Sequence, residues 1–240
     1  MSKKIMPLAL AAVTAAMFAV PATTSATLVP LHVNNATTAN VAGGAAILRS
    51  SKGNITCDKV TGKVTPEAGG TTGTMTLTFG PNCIRDGNPN QPCTSINPAE
   101  PAKSISTTPL PYHLVTLDAH GGQATGSNGL KGVLVTPSAN GAFAHFICHV
   151  FGIPFAFAIG GNGLLGTITA PNCGVASTQS TVSFQAAGGT TTQTHRFTHG
   201  ATTSTTTGPW SLSVSGQPAS QEATVTLTNA NGTASTLVCT

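Results

Sequence analysis

The sequence predicts an all-β fold, an antiparallel β-sandwich with long Pro-rich and Thr/Gly-rich loops, on three observations. Several segments alternate polar and apolar residues strictly, Thr74-Met-Thr-Leu-Thr-Phe79 most cleanly, which marks a half-buried strand. Glycine (27 residues) and proline (16) punctuate the chain at short intervals. No segment repeats its apolar residues at the helical period.

Taken in order, residues 1–26 read as a secretory signal peptide. Lys3 and Lys4 precede an apolar run from Ile5 to Val20, and small residues end at Thr24-Ser25-Ala26. The run is short and broken by Pro7 and Pro21, which disfavours a retained anchor. The expectation is an exported domain, 27–240, with no membrane span after the leader is removed. Residues 27–45 read as an extended lead-in and first strand, and Ala46–Arg49 and Asn54–Val64 as strands around a Ser-Lys-Gly turn. From Pro81 to Pro111 the proline content and the run Asp86-Gly-Asn-Pro-Asn90 indicate a long surface loop.

Strands resume at Tyr112–Leu117 and Leu130–Thr136. The most apolar stretch then follows, from Phe146 to Cys173, with Phe143, Phe146, Phe151, Phe155 and Phe157 gathered at or near its start. Its Gly and Pro interruptions fit two buried strands and a turn rather than a membrane helix. Within it, Gly161-Asn-Gly163-Leu-Leu-Gly166 matches a dinucleotide fingerprint, but Thr167-Ile-Thr-Ala-Pro171 reads as a strand where that motif needs a helix N-terminus. These glycines are expected to make a turn. Ser180–Gln185 is a strand, the Thr/Gly/Ser tract 188–208 a loop around His195-Arg-Phe197, and Trp210–Val214 and Glu222–Thr228 alternate again. The turn Asn229-Ala-Asn-Gly232 leads into Ala234–Val238 as a hairpin.

All six cysteines, Cys57, Cys83, Cys93, Cys148, Cys173 and Cys239, follow the leader, which favours disulfides in an oxidising compartment. Cys83 and Cys173 each end a Pro-Asn-Cys triplet, and each triplet follows a Gly-Thr-x-Thr strand start, at Gly73 and at Gly166. The pattern suggests an internal repeat of 46–83 and 143–173, hence a sandwich of two pseudo-repeated halves. Spacing favours pairs 57–83 and 148–173, leaving 93 with 239; a tight 83–93 loop is the rival.

Charge excludes some functions. The formal net charge is +4, and half of it belongs to the leader lysines. With no Lys/Arg cluster to track phosphates, nucleic acid is not an expected partner. No G-x-S-x-G, S-x-x-K or H-E-x-x-H pattern is present. The candidate metal ligands are His145 with His149 and His195 with His199, each pair four residues apart and so on one face of a strand. No acidic neighbour orients them, and alternation about Phe146 and Cys148 makes His145 and His149 simply an outward face. Asp118 beside His120 reads as a turn after a strand, and Trp210 and Tyr112 are the aromatics available for stacking on a sugar. No cofactor is expected.

The run Asn54-Ile-Thr-Cys57, Phe79-x-x-x-Cys83, His145-Phe-Ile-Cys148 and the Gly-Thr-x-Thr starts resemble a loose class of secreted, disulfide-bonded bacterial β-proteins, mostly actinobacterial and largely uncharacterised. A more distant similarity is to the small secreted proteins named as activators of alkane oxidation. The resemblance implies an exported, disulfide-bonded β-sandwich and carries no catalytic residues. The expected function is a non-enzymatic structural or binding protein of the cell envelope or extracellular space, acting on an envelope or extracellular partner. A metal-binding or metalloenzyme domain built on the four histidines is the alternative, and a carbohydrate-binding module centred on Trp210 is a third.

Overall fold

The computed structural model describes residues 31–35, 37–117, 130–170, 172–184 and 210–239, with three short strands between 192 and 207. The leader, the Asp118–His120 neighbourhood and His195 lie outside the described residues. Every regular element among the described residues is a strand. The N-terminal half begins with β1 (Leu31–Asn34), β2 (Ala39–Gly43), β3 (Ala46–Ser50), β4 (Ile55–Cys57), β5 (Val60–Pro66) and β6 (Thr72–Phe79). It continues with β7 (Ile84–Arg85), β8 (Asn88–Ser95), β9 (Ile105–Ser106), β10 (Leu110–Leu117) and β11 (Leu130–Val135). The apolar centre supplies β12 (Ala142–Val150), β13 (Ile153–Gly161) and β14 (Leu164–Ala170), followed by β15 (Ala176–Ser177) and β16 (Gln179–Phe184). The short β17 (Thr192–Gln193), β18 (Arg196–His199) and β19 (Ser204–Thr207) precede β20 (Trp210–Val214), the 13-residue β21 (Gln217–Asn229) and β22 (Ser235–Cys239).

The architecture is a closed barrel rather than the expected sandwich. β2, β5, β6, β10, β11, β14, β16 and β21 pair in that order, all antiparallel, and β21 returns to β2. Alternation with period two reports that one face of a strand is buried, and a barrel interior satisfies it as well as a sandwich core does. Inward positions are apolar: Val41, Val64, Met75, Leu114, Val133, Val182 and Val225 are all buried. The pairings close a second time through β3, β4, β7, β8, β12, β13, β20 and the first half of β21. β21 therefore belongs to both rings. Residues Gln217–Glu222 pair with β20 and β3, and Ala223–Asn229 pair with β16 and β2. One apolar core runs continuously from Val41 in the barrel to Phe146 in the second ring.

A three-stranded sheet, β1–β22–β15, lies across the end of the barrel where β21 finishes. The expected hairpin between β21 and β22 does not form. The turn is there, with Gly232 N–H donating to Asn229 O at 3.0 Å. Both edges of β21 are already taken by β2 and β16, so β22 crosses to pair with β1 and β15 instead. The proline-rich stretch 81–111 likewise carries strands rather than one loop. Pro89 and Pro92 sit where β8 is paired on at most one side, so their missing N–H groups break no ladder bond.

The Gly-Thr-x-Thr starts have a packing cause. Gly73 on β6 lies beneath the Tyr112 ring of β10, and a Cβ there would sit 2.7 Å from Tyr112 Cε1. Gly166 on β14 lies beneath Phe184 of β16, with a Cβ 2.7 Å from the ring. In both places the absent side chain lets a large interior aromatic lie flat on the neighbouring strand. Gly166, the last glycine of the fingerprint-like run, is thus a barrel-packing residue, and the chain there is strand on both sides of a turn.

Cys57 bonds Cys83, as the spacing suggested. Cys148, however, bonds Cys93 and not Cys173, which also rules out a 93–239 bridge. The reason is register: Cys93 of β8 stands directly opposite Cys148 of β12, whereas Cys173 lies beyond the end of β14. Cys173 is disulfide-bonded too, and no described cysteine is free. A non-reducing peptide map should therefore join 57 to 83 and 93 to 148; a peptide joining 148 to 173 would overturn the assignment. Gly166→Ala should lower stability by about 1–3 kcal/mol in a denaturant titration, because the added methyl forces Phe184 off its site.

Candidate functional site

Two features stand out, one inside the barrel and one at the far end of the second ring. The barrel interior is not filled. It holds a partly open cavity of about 110 Å³, walled by Val41, Val64, Met75, Leu114, Val133 and Ile168 among others. Eight strands give an interior that side chains can just fill or that can hold one small molecule. An unfilled apolar space of that volume costs about 2–3 kcal/mol by the cavity scaling of core truncations.

Polar groups reach the cavity only near the end covered by β1–β22–β15, and Asn229, Ser235 and Ser177 among them are engaged. Asn229 Nδ2 donates to Ser235 Oγ at 2.8 Å, and Ser177 Oγ donates to Gln179 O at 2.7 Å. Thr37, on the connection from β1 to β2, also lines the space; its Oγ1 is buried and has no hydrogen-bond partner. A buried hydroxyl left unmatched costs about 1–3 kcal/mol, so its position is informative. Tyr112 lines the cavity as well, at 5% exposure. Burial, aided by the charge of Glu67, pushes its phenol up from the usual 10 to about 12. A ring held inside the barrel cannot serve as the sugar-stacking platform that the sequence offered.

The second feature is the apex of the β12–β13 hairpin. Val150 pairs with Ile153, and the two residues between, Phe151 and Gly152, both have positive φ (51° and 79°). That is the type I′ geometry of a two-residue hairpin, in which Asn or Asp normally precedes Gly. The same turn occurs at Asp86-Gly87 and Ser215-Gly216, with the first residue small and polar in each. Phe151 is the exception, a bulky residue in the left-handed region with 89% of its surface exposed. Ile153 (58%) and Phe155 (46%) continue the exposed apolar surface along β13. Cross-strand partners share a face, so Phe155 and Ile153 lie on the side of Cys148 and Val150, the core-facing side. Phe157, one step further in, stacks on buried Phe146 at 5.4 Å, and the Arg85 guanidinium lies over the Phe157 ring at 6.0 Å. The apolar face of the hairpin thus runs out past the ring that buries its base.

The predicted metal ligands are not brought together. His145 and His149 are exposed on the outer face of β12, either side of Ile147. Four residues of strand separate them by roughly 13 Å, far beyond the span of two bonds of about 2 Å to one ion. His199 lies on β18, which pairs with β19 and β10 and not with β12, and His195 lies outside the described residues. Among the described residues no group of three His, Cys, Asp or Glu side chains could hold a metal. Trp210 begins β20 opposite Gln193, and its side chain lies outside the described residues. Among the described residues no helix is long and apolar enough to cross a membrane.

The fold and the two features define an all-β, antiparallel, disulfide-bonded barrel protein with an apolar interior space. No protein-family model matches the chain, and neither a curated protein nor a solved structure matches it.

Neither feature rests on a motif. Thr37 sits in a Thr-rich stretch with nothing to single it out. Phe151 did carry a signal, as a large apolar residue in the slot before Gly152 where a turn wants Asn or Asp. Tyr112 offers a direct check, since it is the only tyrosine (Tyr 1). In the folded protein its phenolate absorbance should develop around pH 12 rather than 10, and early development would show an open barrel. Between those values the unfolded chain has lost the phenol proton and the folded one keeps it. Stability is therefore intact below pH 10 and falls by about 2–3 kcal/mol as pH rises to 12.

Proposed function

We propose that the protein is a non-enzymatic, exported binding protein of the cell envelope that works by surface contact, with the β12–β13 apex touching a lipid surface. The observation that carries this reading is Phe151, exposed at 89% in a turn slot whose backbone disfavours it. Backbone strain of this kind, without a packing reason, marks a position kept for something outside the fold. Ile153 and Phe155 extend the contact, and each fully buried side chain of this kind contributes about 1.5–3 kcal/mol.

Two features favour lipid over a partner strand. Pro154 stands opposite His149 at a position between the hydrogen-bonded pairs, where its backbone points to the open edge of β13. It offers no N–H there, which blunts the edge against strand addition. Without its two leader lysines the chain's formal net charge of +4 becomes +2, the sign that suits an anionic headgroup layer. The disulfides agree with an oxidising, extracytoplasmic setting.

The variant Phe151→Asn separates binding from folding. Asn suits the turn better than Phe, so stability should hold or rise by up to about 0.5 kcal/mol. Co-sedimentation with phosphatidylglycerol–phosphatidylcholine vesicles should fall by on the order of tenfold. Equal sedimentation of both proteins, or none by the wild type, would sink the lipid reading and leave a protein partner for the apex.

A further inference from the structure

We propose that the barrel interior is a binding site for one compact apolar molecule bearing a single hydrogen-bonding oxygen, which the Thr37 hydroxyl recognises. This site is separate from the hairpin apex and does not depend on its contact with lipid. The cavity of about 110 Å³ is somewhat smaller than an engineered apolar cavity of about 150 Å³ that takes benzene. A single ring of five or six atoms, or a short branched chain, is therefore at the upper limit of what the space holds, and a sugar or a long acyl chain is excluded.

The chemistry of the walls is equally selective. Val41, Val64, Met75, Leu114, Val133 and Ile168 provide no hydrogen bonds, so a ligand rich in polar groups would lose its hydration without replacement. At the covered end, Asn229 and Ser177 are committed to Ser235 and Gln179. Thr37 Oγ1 is the buried side-chain oxygen of the cavity wall left unmatched. A hydroxyl both donates and accepts, so an alcohol, a phenol or a ketone would satisfy it, and the aliphatic walls would enclose the remainder. The backbone of Thr38 anchors this position, since its carbonyl accepts the Ala230 N–H at 2.8 Å.

The test uses the full exported chain with phenol and toluene, which match in shape and differ in the hydroxyl. Ligand-detected magnetic resonance and calorimetry should show saturable one-to-one binding of phenol that moves the ring resonances of Tyr112. Thr37→Val should weaken phenol by roughly tenfold, the usual worth of one buried hydrogen bond, and leave toluene unchanged. Ala39→Leu, which fills the barrel from β2, should abolish both while its circular dichroism stays native. Phe151→Asn should bind phenol like the wild type, which keeps this result distinct from the vesicle experiment. No saturable binding of either probe would overturn the proposal. So would binding that leaves Tyr112 unmoved, or binding lost in Phe151→Asn. Neither of the last two outcomes requires a barrel variant to fold.

Discussion

Everything in this molecule depends on β21, the one long strand whose pairings belong to both rings. A strand exposes a row of N–H and C=O groups on each side, and a buried one must find partners for all of them. β21 takes different partners in its two halves, β20 and β3 up to Glu222, and β16 and β2 from Ala223. The change splits the sheet into two rings that share one seam. Its neighbours bend to follow: β2 gives way to β3 across Gly44-Ala45, and β4 to β5 across Asp58-Lys59. At the split, Arg49 Nε and an Arg49 Nη hold the two Glu222 oxygens at 3.2 and 3.0 Å, keeping that carboxyl below its usual range. The pair is exposed and so contributes little to stability. It marks the branch without carrying it.

The two rings are stabilised differently. The barrel relies on alternating apolar side chains around a space it does not quite fill. The second ring includes the very short strands β4 and β7, and it carries both of the mapped bridges, 57–83 and 93–148. Closing loops of 26 and 55 positions contributes about 3–4 kcal/mol each in the chain-entropy model. Hairpin turns with two positive φ values set the register of β7–β8, β12–β13 and β20–β21. The mapped cross-links therefore lie in the ring that supports the exposed apex.

Strands were legible in the sequence wherever one face is buried and the other wet, as in Thr74–Phe79 and Trp210–Val214. Ring closure was not legible, because it depends on which strand pairs with which, and alternation says nothing about partners. The proline content hid β8, since Pro89 and Pro92 obey a rule about edges that only the pairing reveals. Cys57 and Cys83 could be matched from local spacing. Cys93 and Cys148, 55 positions apart, are joined by a register that two other strands determine. His145 and His149 were correctly seen as an outward face, and it is the length of a strand step that keeps them from sharing an ion. Thr37 could not be found at all, because its significance lies in what surrounds it and not in its neighbours in sequence.

The pairing of β1 with β22 sets Leu31 beside Cys239, so the described chain starts and stops at the same place. That place is the capped pole of the barrel, where β21 also finishes. β13 runs in the same direction as β21, through β20 between them, and its first residues reach beyond the start of β21. Phe151 consequently lies at the opposite pole. Leu31 and Cys239, the ends of the described chain, thus lie at the pole opposite the aromatic tip.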